Sequence, residues 1–187
     1  MSPRSSYTAT GLISSPPSRS PGATTARACG QRIADEIRRD PTSHVEGLPE
    51  LGASDPHYDA AACRLWLCRG LQFEPDNAAA NMQTYRPRQE VNVKVRLTIP
   101  HAGRANVSVV DTAADAVIAN GGRAPHRLAE RLRRRAPVLL RPDAEGPDRL
   151  HHRHPGGPER PVVQWWWYGE GAKQTYESCI DFTVAEA

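Results

Sequence analysis

Several residue groups in this 187-residue chain have the types and spacing to do chemistry. His101, in Ile99-Pro100-His101-Ala102-Gly103, directly follows a long alternating run. A rigid element would therefore hold its imidazole, as a metal ligand requires, although read alone it is a surface-turn histidine. His151-His152-Arg153-His154 has the composition of a metal-binding tract, and reads better as adventitious surface histidines. Trp165-Trp166-Trp167 offers aromatic faces that could stack on pyranose rings. Consecutive strand residues point to opposite faces, so at most two of the three share one face and at least one belongs to a core. Four cysteines, Cys29, Cys63, Cys68 and Cys179, lack the C-x-x-C spacing of a zinc site. Their even number is compatible with two disulfides in an oxidising compartment, or with four buried thiols. Asn106-Val107-Ser108 is an N-glycosylation sequon that leans the same way.

These groups must be positioned by strands. Val91, Val93, Val95, Leu97 and Ile99 alternate with Asn92, Lys94, Arg96 and Thr98, the period-two pattern of a strand with one dry and one wet face. Pro100 to Gly103 makes a turn, and Ala105 to Val110 returns as the second arm of a hairpin. Val162 to Tyr168 and Tyr176 to Val184 form another pair, joined by the glycine-containing loop Gly169 to Lys173. Gln31 to Arg39 reads as a short helix with Ile33, Ala34 and Ile37 on one face. Asp59 to Cys68 reads as a second helix, with Leu65, Trp66 and Leu67 turned inward. Residues 1–28, rich in Ser, Pro, Thr and Arg, read as extended or irregular. The expected fold is an all-β, antiparallel β-sandwich with long loops and short helices.

Charge and composition narrow the classes of function. The formal net charge is +3, yet ten Arg against five acidic residues place +5 of it in Arg123 to Arg160, leaving −2 for the rest. A nucleic-acid footprint should form one face of a folded element, and this stretch is broken by proline, so nucleic acid is not the expected partner. No run approaches the ~18 apolar residues that span a bilayer. Met1 to Pro17 has no apolar core of a secretory signal, which by itself points to the cytosol. The 38 residues from Arg123 to Arg160 use only nine residue types and contain no aromatic residue. They fit neither strand nor helix, and are expected to be disordered or the product of an out-of-frame or mis-spliced reading.

Four segments carry a family resemblance: Gly11-Leu12-Ile13-Ser14-Ser15-Pro16-Pro17, Tyr58 to Cys68, Val91 to Thr112, and Val162 to Val184. In these the chain resembles the fungal, secreted lytic polysaccharide monooxygenases of auxiliary activity family sixteen. Members of that family are often labelled chitin-binding type-4 domain proteins. The resemblance implies an immunoglobulin/fibronectin-like sandwich with a flat substrate face and one copper ion. A brace of nitrogens would hold the ion, from the amine and imidazole of an N-terminal His and from a second His. Neutral nitrogen donors suit copper and leave positions open for oxygen or peroxide. The implied activity is oxidative cleavage of β-linked polysaccharide, cellulose or chitin, by an extracellular monomer that uses an external electron donor. His101 matches the second brace histidine. Gln174-Thr175-Tyr176 matches the family's Gln-any-Tyr motif, which gives Tyr176 the axial ring and Gln174 the amide that orients the oxygen species. The expected disulfides are Cys63–Cys68 and Cys29–Cys179.

Two features depart from the family. Thr10-Gly11 stands where the mature family chain begins His-Gly, behind a leader of residues 1–9 that is not expected to join the domain 10–187. A misplaced gene start would account for both this leader and the missing secretory signal. Arg123 to Arg160 replaces a region that in the family holds two further cysteines and a substrate-face strand. The alternative function is a non-catalytic, secreted carbohydrate-binding protein that has lost the copper brace. A product without a stable fold is the third reading.

Overall fold

The computed structural model describes residues 10–86, 89–99, 101–113, 116–120, 126–127, 138–140 and 161–185. The leader 1–9, the cluster His151–His154 and most of 123–160 lie outside the described residues. Two sheets form the frame. In the smaller, β1 (Thr10–Ser15) lies antiparallel to β3 (Val91–Ile99), which also pairs with β7 (Val138–Leu140). The larger has six strands. Its order is β2 (Gln83–Tyr85), β9 (Gln174–Val184), β8 (Pro161–Gly169), β4 (Gly103–Asp111) and β5 (Ala116–Asn120), with β6 (His126–Arg127) also on β4.

Alternation dictates how the two sheets meet. Val91 and Val93 are buried while the alternating Asn92 and Lys94 are exposed. Together with Ile13 they pack against Val107, Val163, Trp165, Trp167, Tyr176, Ile180 and Phe182 of the larger sheet in one cluster. Burying aliphatic and aromatic side chains like these stabilises by about 1.5–3 kcal/mol each, so this shared core is what holds the sheets face to face. Trp165 and Trp167 are 2% and 0% exposed, while Trp166 points to the opposite, half-open face. The expected split of the tryptophan run is what the pleat produces.

The antiparallel expectation needs correction at β2, and the irregular reading of residues 1–28 at β1 and at a helix. β2 runs parallel to β9. Residues 1–28 were expected to be irregular, yet β1 is recruited by β3, and Ala23–Cys29 forms a helix, α1. No side chain at the Gly22 N-cap of α1 caps it. Glu74, distant in sequence, instead accepts bonds from the backbone N–H groups of Gly22, Thr24 and Thr25 at 2.7–3.0 Å. α1 joins α2 (Gln31–Arg39), α3 (Leu48–Ala53) and α4 (Ala60–Cys63) around a second core of Ile33, Ile37, Val45, Leu48, Leu65 and Leu71. The fold is therefore sheet-rich, with a helical N-terminal third.

The expected helix Asp59 to Cys68 stops at Cys63, because Arg64 adopts a left-handed conformation (φ 51°). The chain beyond it alternates: Leu65 and Leu67 are buried, whereas Trp66 is 58% exposed, so Trp66 does not turn inward as expected. That turn also overturns the expected disulfides. Cys29 pairs with Cys63, and Cys68 with Cys179. Cys63 ends α4 beside the end of α1, where Asp59 N–H donates to the Ala28 carbonyl at 3.1 Å. Beyond the turn at Arg64, Cys68 reaches the outer face of β9. There it packs with Leu67, Val110, Val162 and Cys179.

Candidate functional site

Two turns meet at one end of the sheets. The β3–β4 connection carries His101 and Ala102, and the Glu170 N–H of the β8–β9 turn donates to the Ala102 carbonyl at 3.0 Å. Gly103 allows that approach. A β-carbon built on it would lie 2.0 Å from the Tyr168 carbonyl oxygen, closer than any side chain can stand. Gly169 sits opposite Gly103 on one side and opposite Gln174 on the other. A β-carbon on Gly169 would lie 3.6 Å from His101 Cβ and 3.7 Å from the Gln174 carbonyl oxygen. The strand register thus brings His101, half-buried, beside the start of β9, where Gln174 and Tyr176 stand.

Tyr176 is fully buried, and its hydroxyl donates to Gln174 Oε1 at 2.7 Å. Its ring stacks on Trp167 with centroids 4.8 Å apart. Burial, with the carboxylates of Glu46 and Asp40 adding to it, pushes the phenol well above its usual range. The hydroxyl is thereby favoured in its protonated form, the donor in its bond to Gln174.

The loop Thr42–Glu46, which the sequence did not single out, closes this end. Thr42 accepts from the Gly11 N–H at 3.2 Å, and the Val45 N–H donates to the Thr175 carbonyl at 2.9 Å. Glu46 accepts the Thr175 N–H at 2.8 Å. His44 meets the Tyr176 ring edge-on at 6.2 Å, and its Nδ1 lies 3.5 Å from Glu46 Oε2. Arg69 anchors the loop from behind. Its backbone N–H donates to Glu177 Oε2 at 2.8 Å and its guanidinium to the Ser43 carbonyl at 2.6 Å. Burial lowers the Arg69 pKa to about 10, against the opposing pull of Asp40 and Glu177. No periodicity marks residues 42–46, so only the weak signal of two polar ring and carboxylate groups near one another could have pointed to them.

A second feature lies on the outer face of the larger sheet. Trp166 and Tyr168, two apart on β8, are half-buried with near-parallel, stacked rings, centroids 6.3 Å apart and planes inclined by 14°. On the β4 side their cross-strand partners are Asn106 and Arg104, both exposed. On the β9 side, Thr175 and Glu177 are buried under the loop that Arg69 anchors. The result is an open aromatic ledge of two near-parallel rings with a polar border.

No protein-family model and no curated protein matches this sequence. Among solved structures, a chitin binding domain from Burkholderia pseudomallei aligns over 95% of this chain and 100% of its own, with a TM-score of 0.35 and 15% identity.

The donor set present does not fit a three-nitrogen copper brace. β1 pairs Thr10 with Ile99, which puts the backbone of residue 10 two residues from His101. That position needs an imidazole and a free amine, and Thr10 has a hydroxyl side chain and an amide nitrogen bonded to Ala9. Among the described residues no three His, Cys, Asp or Glu side chains are grouped to hold a metal. No helix among them is long and apolar enough to cross a membrane.

Proposed function

We propose that this chain is a secreted, non-catalytic polysaccharide-binding protein with the immunoglobulin-like frame of lytic polysaccharide monooxygenases. The observation that carries the reading is the Trp166–Tyr168 ledge. Two aromatic side chains on one open strand face offer apolar ring surface for a sugar of a β-linked chain, cellulose or chitin, to stack on. Arg104 and Asn106 at its border offer hydrogen bonds to ring hydroxyls. Two disulfides fit an oxidising compartment.

The test is retention of the full chain on insoluble cellulose and chitin. Trp166→Ala should weaken retention by about tenfold or more, about 1.4 kcal/mol. Equal retention of Trp166→Ala and the unaltered chain overturns the proposal.

One observation favours a second reading, copper-dependent oxidative cleavage of the same glycan. His101, Gln174, Tyr176 and the backbone of residue 10 converge at one end of the fold. On this reading the chain is one substitution and one processing step from a brace. Calorimetry would compare copper binding by the 187-residue chain with that of a version beginning at residue 10 and carrying Thr10→His. Tight binding by the trimmed version alone supports the second reading. Failure of both removes His101 as a ligand.

A further inference from the structure

The sequon and the aromatic ledge, separate in sequence, are joined by strand register. Asn106 on β4 is the direct cross-strand partner of Trp166 on β8. Opposed residues of an antiparallel pair project to the same face with Cβ atoms about 4.5–5.5 Å apart. Asn106 is exposed, and its Nδ2 donates to Ser108 Oγ, the sequon hydroxyl, at 2.9 Å. That nitrogen carries two hydrogens, so one can be replaced by a sugar while the other keeps the bond to Ser108.

We propose that an N-linked glycan on Asn106 folds onto Trp166 and caps the Trp166–Tyr168 ledge, so that glycosylation sets how much of the ledge is open to polysaccharide. The effect on polysaccharide rests on the function proposed above, whereas the contact between glycan and ring does not. In the attachment step a lipid-linked oligosaccharide diphosphate is the donor. The bond from sugar C1 to the phosphate oxygen breaks, the bond from C1 to Nδ2 forms, Nδ2 gives up one proton, and the lipid diphosphate leaves. The first sugar then starts on the residue facing the indole, and its apolar face has the half-exposed ring of Trp166 to cover. Intramolecular attachment raises the effective concentration of this sugar far above that of a free chain. The glycan therefore competes with polysaccharide for the same rings.

The experiment uses the full chain secreted from a eukaryotic host, with site occupancy read by intact mass. Thermal unfolding is compared with and without the glycan in the unaltered chain and in Trp166→Ala, the sugar-free forms being Asn106→Gln. The glycan should raise Tm by about 2–4 °C when Trp166 is present and leave it unmoved in Trp166→Ala. Nuclear Overhauser contacts between the first sugar's N-acetyl methyl and the indole give a readout that needs no tryptophan variant. Cellulose retention should strengthen about tenfold on enzymatic removal of the glycan. An unmodified Asn106, an equal Tm increment in both backgrounds, or absent sugar–indole contacts would each overturn the proposal. If the sugar-free chain binds no polysaccharide while the contacts and the Tm pattern hold, the proposed function falls and the capping of Trp166 stands.

Discussion

The disulfide connectivity offers the sharpest perturbation. In this fold Cys29–Cys63 closes a loop of 34 residues and Cys68–Cys179 one of 111. Chain-entropy arithmetic assigns them about 4 and about 5 kcal/mol of constraint on the unfolded chain, each a large share of a total stability of about 5–15 kcal/mol. Replacing Cys29 and Cys63 together by Ala removes one bond and leaves the other intact. Alanine suits the site because both cysteines are fully buried against Ile33, Leu65 and Leu71, and it brings no polar group into that core. The double variant should lose about 4 kcal/mol in urea unfolding and show no free thiol by titration under denaturing, non-reducing conditions. If the bonds instead joined Cys63 to Cys68 and Cys29 to Cys179, the same variant would break both. Two titratable thiols per chain would then refute the reasoning.

Three further outcomes follow from buried polar contacts and one close approach. Arg19 forms a buried pair with Asp181, with Nε and Nη2 contacts at 2.6–3.0 Å; Arg19→Leu should cost about 3–5 kcal/mol by stranding the carboxylate, and Arg19→Leu/Asp181→Leu should recover part of it in the same unfolding assay. Burial alone would raise the Glu74 pKa, but its bonds from Thr25 and Thr24 outweigh this and hold the carboxyl below its ordinary 4.5. Its contribution is therefore present above pH 4.5 and lost as pH falls through the lower folded value; the Tm gap between the unaltered chain and Glu74→Gln should be widest near neutrality and narrow below pH 4.5. Gly103→Ala would drive a methyl into the Tyr168 carbonyl; lower thermal stability and broadened His101 ring resonances in NMR are expected, and an unchanged spectrum would contradict the packing of the two turns.

The sequence by itself determined the long strands β3, β4, β8 and β9, because alternation and β-rich runs are local properties of the chain. Val91 to Ile99 could bury one face only as a strand, and the three consecutive tryptophans had to divide between core and surface. Helix α2 was legible for the same reason, its Ile33, Ala34 and Ile37 lying on one turn-spaced face. Residue resemblance brought His101, Gln174 and Tyr176 into view as a set, and the fold places them at one end, with Gln174 and Tyr176 hydrogen-bonded. What only tertiary structure decided are relations between distant residues. The start of α1 is satisfied by Glu74, about 50 positions away, so the segment before it carries no capping signal of its own. Disulfide partners were set by a left-handed turn at Arg64, a residue type that does not advertise one. His44 and Glu46 reach the site because hydrogen bonds to Thr175 hold their loop there, and nothing in their spacing shows it. Asn106 faces Trp166 through a pairing register across 60 residues, and register is fixed by which faces two strands bury together, a property neither strand carries alone.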